Sequence, residues 1–199
     1  CLEATTGPSR WTRMFDHLGD DEDDAGLFPY GRPIISENAL FLPARRVSRP
    51  RLTDCYAVAL DLEGGRLRWI RHIASSGIQD RSNRPFSTMV EDAGDLFLAT
   101  PVGATARLDG ATGLIRWLVR FPAPPTPRDP PRRPWELAGP LVIGNRVYAI
   151  TPDERSVVVL DRESGAMLAG YDAASRETFN APKYLLGNER FIYAVGREI

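Results

Sequence analysis

Long apolar runs are missing from this sequence. The longest, Val157 to Leu160 among them, are a few residues, far short of the roughly 20 that a helix needs to span a bilayer. No membrane-spanning helix is expected. Cysteine is scarce too: Cys1 and Cys55 are too few for a disulfide scaffold, lack metal-ligand spacing and do not fix the redox compartment. His17 and His72 are the only histidines, too few for a zinc or iron site. Both are expected as ordinary loop residues just beyond outer strands. Lys183 is the only lysine, so arginine carries the basic charge, a bias read as codon usage in a GC-rich genome. A net charge of −1 leaves no basic footprint, and nucleic acid is not an expected partner. No Gly-x-Ser-x-Gly elbow occurs, so hydrolysis is not read here. With 43% hydrophobic and 26% charged residues the chain has the balance of a globular protein, which excludes disorder and collagen.

What is present is a repeat. Glu3, Gly7 and Trp11 share one frame with Asp61, Gly65 and Trp69, and with Asp109, Gly113 and Trp117. A fourth copy keeps Asp161 and Gly165 but has Ala169 in the tryptophan position. The acids are 58, 48 and 52 residues apart, about the size of one four-stranded propeller blade. Each copy reads as strand, turn, strand: the acid bonds turn amides and the glycine takes positive φ. Ahead of each complete copy come two apolar stretches separated by a tight turn. Gly144-Asn145 and Gly187-Asn188 both carry the two-residue hairpin signal.

Strands are therefore expected near 34–36, 39–42, 55–60 and 66–71; near 87–90, 95–99, 104–108 and 114–120; and near 139–143, 146–150, 156–160 and 166–170. No stretch over ten residues has a convincing helical period. The fold class is all-β, a partial β-propeller of four-stranded antiparallel blades. One propeller domain, 1–199, comprises a second-half blade (1–15), blades at 33–71, 87–120 and 138–170, and a first-half blade (182–199).

An acid, a glycine four residues on and a tryptophan eight on resembles the tryptophan-docking repeat of quinoprotein-like propellers. That family includes pyrroloquinoline-quinone dehydrogenases and the propeller lipoprotein of the outer-membrane barrel-assembly machinery. The resemblance implies a ring of seven or eight blades in which each tryptophan packs between neighbours, a structural role. The remaining blades would come from the same polypeptide, so the chain reads as a segment of a longer protein; alternatively Cys1 is a lipidated cysteine after signal-peptide cleavage. Enzymatic members hold the quinone with calcium, a catalytic Asp and, in the alcohol dehydrogenases, a disulfide between adjacent cysteines. No adjacent cysteine pair exists here. No catalytic, cofactor or metal residue is assigned, and quinone and calcium enter only under a dehydrogenase alternative.

The acidic run Asp20 to Asp24 lacks the ligand spacing and glycine of an EF-hand and reads as a solvated charge run. Pro122 to Pro134 reads as a stiff connector, with Trp135 anchoring it. Long insertions are expected on one face: crossovers Asp16 to Arg32, His72 to Phe86, Pro122 to Leu137 and Tyr171 to Ala181, and an inner loop Pro43 to Asp54. That face gathers Arg45, Arg46, Arg49, Arg51, Arg81, Arg84, Arg128, Arg132 and Arg133, arginines suited to carboxylates. The leading reading is a non-catalytic scaffold, exported across a bacterial cytoplasmic membrane to the periplasm or outer membrane, that binds a protein or peptide through this face. Alternatives are a quinone-dependent dehydrogenase, or the extracytoplasmic sensor of a larger membrane protein.

Overall fold

The computed structural model describes residues 1–2, 7–15, 18, 26–48, 52–77, 86–121, 139–151, 156–172 and 184–195. Alternating apolar residues on short strands, punctuated by turn acids and glycines, produce an all-β structure, a partial propeller with no α-helix among the described residues. The first sheet holds β1 (Phe28–Pro29), β2 (Ile34–Ser36), β3 (Ala39–Ser48), β4 (Leu52–Asp61) and β5 (Leu67–Gly77). Its order is β1-β3-β4-β5, with β2 also paired to β3. The second is a meander of β6 (Thr88–Asp92), β7 (Asp95–Ala99), β8 (Ala104–Asp109) and β9 (Ile115–Arg120). The third repeats it with β10 (Leu141–Ile143), β11 (Arg146–Ile150), β12 (Ser156–Asp161) and β13 (Met167–Asp172). A final pair, β14 (Tyr184–Gly187) and β15 (Ile192–Val195), is followed by no further described strand.

The repeat motif folds the same way in each sheet. Asp61 accepts from the Gly64 amide at 2.9 Å, Asp109 from the Thr112 amide at 2.8 Å and Asp161 from the Ser164 amide at 2.8 Å. Gly65, Gly113 and Gly165 then sit at φ of 66°, 69° and 71°, the left-handed region that side chains with a Cβ resist. Just past the turn a bulge recurs: Leu60 pairs Leu67 but Ala59 pairs Trp69, and the same slip separates Leu108 from Arg107 and Leu160 from Val159. The extra residue of a bulge aims its side chain differently from its neighbours. Arg68 and Arg116, the extra residues, reach back to Asp61 at 3.2 Å and Asp109 at 2.6 Å.

Trp11, Trp69 and Trp117 each lie against the following sheet. Trp11 Nε1 donates to the Leu62 carbonyl at 3.0 Å, Trp69 to Gly110 at 3.1 Å and Trp117 to Arg162 at 2.7 Å. Its ring covers that sheet's turn glycine so closely that a Cβ on Gly113 would fall 2.6 Å from Trp69. Around these contacts the apolar residues segregate into clusters between successive sheets. The central strands are buried on both faces, as in β4, where Thr53 to Leu60 are all buried.

Three local expectations are corrected. Within the expected loop Pro43 to Asp54, residues 43–48 and 52–54 are strand: β3 and β4 stay in register from Pro43↔Ala57 to Ser48↔Leu52. Pro43 is tolerated because its carbonyl accepts from Tyr30 at 2.8 Å on the side where β2 has ended and β1 begins. Its missing N–H faces that gap, where no ladder bond is lost. His72 is likewise no loop residue, since β5 runs on to Gly77 and pairs His72 with Tyr56. Finally, Gly144-Asn145 does form a two-residue turn, but β14 and β15 pair Gly187 with Ile192. There Asn188 Oδ1 accepts from the Arg190 and Phe191 amides, both at 2.9 Å, and a longer loop wins. The short strand β1, inside the expected crossover from Asp16 to Arg32, had no signal of its own: Phe28-Pro29 becomes a strand only because the lengthened β3 offers it an edge.

Candidate functional site

In a four-stranded meander the two tight turns fall on one face and the longer connections on the other. The lengthened β3, β4 and β5 therefore rise on the long-connection face as a tongue. β4 has 10 residues, against 6 in β8 and 6 in β12. At its end Val47 and Leu52 are 53% and 40% exposed.

Arg45 and Arg46 lie on this tongue, in strand β3 and not in a loop. The Arg45 guanidinium stands 3.8 Å from the Tyr30 ring centre and 4.9 Å from that of Phe28, so its charge is held by aromatic faces. Its Nε is buried without a hydrogen-bond partner. Tyr30 in turn meets Phe86 at 4.6 Å. Arg46, on the opposite face, donates to Asp54 at 3.3 Å and lies 5.5 Å from Tyr56. Asp54 also accepts from Ser75 at 2.6 Å, and Ser75 Oγ lies 2.8 Å from His72 Nε2. Since Ser75 gives its proton to Asp54, His72 is the donor in that contact. A histidine in that role cannot act as the serine's base, so the trio has no hydrolytic logic. Arg49, Arg51, Arg81, Arg84, Arg128, Arg132 and Arg133 lie outside the described residues, as do His17, Asp20 to Asp24, Pro122 to Pro134 and Trp135.

On the same face the inner strands begin, and their starts enclose a pocket of about 520 Å³. Its walls are residues 31–33 ahead of β2, 86–90 at β6, 139–141 at β10 and 184–185 at β14. Gly31, at φ 153°, lets the Ser87 carbonyl and Pro43 approach where any Cβ would collide. Apolar side chains dominate the walls, and Arg32, exposed, is the only charged lining residue among those described. No sequence signal singled out this pocket, because it is assembled from four segments spread over more than half the chain.

A second cluster sits between the β6–β9 and β10–β13 sheets. Arg107 contacts Asp95 at 2.6 Å and Glu163 at 2.8 Å, and Arg162 contacts Asp92 at 2.5 Å. Burial opposes the charge on Arg107, but hydrogen bonds to Glu163 and Asp95 win and its pKa rises. The Arg107 hydrogen bond in turn holds the Glu163 carboxyl below its ordinary range. Turn bonds do the same elsewhere: the Gly64 amide for Asp61, the Thr112 hydroxyl and amide for Asp109, and the Ser164 amide and hydroxyl for Asp161. These interactions brace the scaffold.

No family model and no curated protein matches this sequence. Solved structures do. BamB from Moraxella catarrhalis is similar at TM-score 0.55 and 18% identity, over 83% of this chain and 43% of that one. Quinohemoprotein alcohol dehydrogenase from Comamonas testosteroni is similar at 0.54 and 14%, over 86% of this chain and 32% of that one. A europium-containing methanol dehydrogenase is similar at 0.51 and 16%, over 73% of this chain and 25% of that one. The chain thus spans less than half the length of each. The dehydrogenases raise the question of a quinone and its metal ion. Among the described residues no group of three His, Cys, Asp or Glu is placed to hold a metal ion, and no carboxylate lines the pocket. The described residues do not fit such a group. By its architecture, this chain is an arc of a β-propeller built of four-stranded antiparallel blades.

Proposed function

We propose that this chain is a non-catalytic scaffold that binds a protein or peptide through its long-connection face, outside the cytoplasmic membrane of a bacterium. The tongue carries the reading: one blade is lengthened on that face, where Val47 and Leu52 are exposed. Apolar side chains on a rigid projecting sheet suit a partner that covers them. The likeness in fold to BamB supports a scaffold and an envelope location. Arg45 and Arg46 brace the tongue and are not the contact residues of this proposal; the arginines outside the described residues remain part of it.

A photo-crosslinking residue at Val47 or Leu52, set against the same residue at Glu63 or Ser164 on the turn face, tests the reading in the native host. Adducts are expected from the tongue positions. Adducts from the turn face alone would overturn it. Fractionation of the same cells is expected to find the protein in the envelope, and recovery in the cytoplasm would remove the location.

A further inference from the structure

We propose that the pocket at the start of the inner strands takes an extended segment of the partner chain, with an aliphatic side chain inside and an acidic side chain on Arg32. The inference rests on the long-connection face as the binding face and names what that face recognises. Three observations lead to it.

The first is shape and lining. A volume of about 520 Å³ falls within the ~300–1,000 Å³ of pockets that bind ligands, enough for a few residues and not for a domain. Phe86, Val90, Pro140, Leu141 and Tyr184 make the wall apolar.

The second is the backbone. β6, β10 and β14 each end their sheet, and β2 pairs only with β3. Of these, β6, β10 and β14 contribute lining residues, so three strand edges border the pocket, and an extended chain can add to such an edge through main-chain hydrogen bonds. The third is charge: Arg32 is exposed, and among the described residues no lining carboxylate opposes it. A guanidinium at the rim of an apolar pocket pairs with a carboxylate through charge-assisted hydrogen bonds.

The test measures fluorescence anisotropy of a labelled peptide, Gly-Ser-Leu-Glu-Ser-Gly with an amidated end, on the full chain. A second probe replaces its Glu by Gln, and a third its Leu by Ser. The Glu peptide is expected to bind about tenfold tighter than the Gln peptide, the size of one hydrogen bond to a charged group. Arg32→Gln is expected to erase that ratio and leave the Gln peptide unchanged. Tyr184→Ala, on a side chain 48% exposed, should weaken both several-fold, as should Leu to Ser in the probe. Arg66→Gln on the turn face should change nothing. Absence of binding by every probe, a ratio near one, or a ratio that survives Arg32→Gln would each overturn the proposal. Tongue adducts without peptide binding would sink this inference alone, and adducts confined to the turn face would sink both readings.

Discussion

Two joints between neighbouring sheets are built on the same tryptophan and glycine yet differ in chemistry. Where the β2–β5 blade meets the β6–β9 blade, the residues around Trp69 are small or apolar: Ala39, Phe41, Ala59, Leu96, Leu98, Ala106 and Leu108. Gly110 places no side chain there, and a Cβ on it would lie 3.6 Å from Phe41. One joint further on, Arg162 takes the place of Gly110 and stands 5.5 Å from Phe97, while Arg107 takes the place of Ala59. Asp92, Asp95 and Glu163 complete that network. The tryptophan bonds a backbone carbonyl, Gly110 in one case and Arg162 in the other. That bond is indifferent to the side chain, so the position is free to make a joint apolar or ionic.

The comparison can be broken at its common element. Trp69→Ala and Trp117→Ala should each destabilise by about 3–5 kcal/mol in urea unfolding, since both indoles are buried. A loss below about 1 kcal/mol at either joint would show that its neighbours carry it. Gly113→Val comes next. It forces a β-branched residue to φ 69° and a Cβ to within 2.6 Å of Trp69, for about 3 kcal/mol. Gly94→Ala, at φ 83° with nothing within 4 Å, should cost only about 1 kcal/mol. Equal losses would mean that backbone strain, and not the tryptophan contact, sets the penalty.

Arg107→Ala separates the joints. Its side chain is 12% exposed, and removing it leaves Asp95 and Glu163 without their counter-charge, for about 2 kcal/mol after allowance for solvent. No loss would make the ionic joint equivalent to the apolar one. Acid should act at this joint and at the turns. Asp61, Asp109, Asp161 and Glu163 have lowered folded pKa values. Their contribution is therefore present above the ordinary carboxylate range and lost as pH falls through the folded values. Urea midpoints should drop between pH 7 and pH 3, and drop less in Arg107→Ala, where the Glu163 shift is relieved. An identical drop would remove Glu163 from the account. The smallest effect belongs to Arg116→Leu, whose side chain is 52% exposed in its pair with Asp109, worth a few tenths of a kcal/mol.

Legibility tracks the range of the interactions. The turns were readable because acid and glycine act within five residues, through amide bonds and a local φ. The tongue was not. Pro43, Arg45 and Arg46 look like loop residues, and only the gap between β1 and β2, the aromatic rings beside Arg45 and the Asp54 carboxylate beside Arg46 make a strand acceptable there. Ala59 and Arg107 occupy the same place in the repeat, and nothing local says that one will join an apolar cluster and the other pair with Glu163.

The sequence by itself determined the blade, because its period, its turn acids and glycines and its alternating strands are short-range features that each blade satisfies alone. Tertiary structure decided which surface projects, which joint is ionic and where a pocket opens. Those depend on residues such as Arg32, Phe86, Leu141 and Tyr184, far apart in the chain, and only the stacking of blades, driven by burial of their shared apolar faces, brings them together.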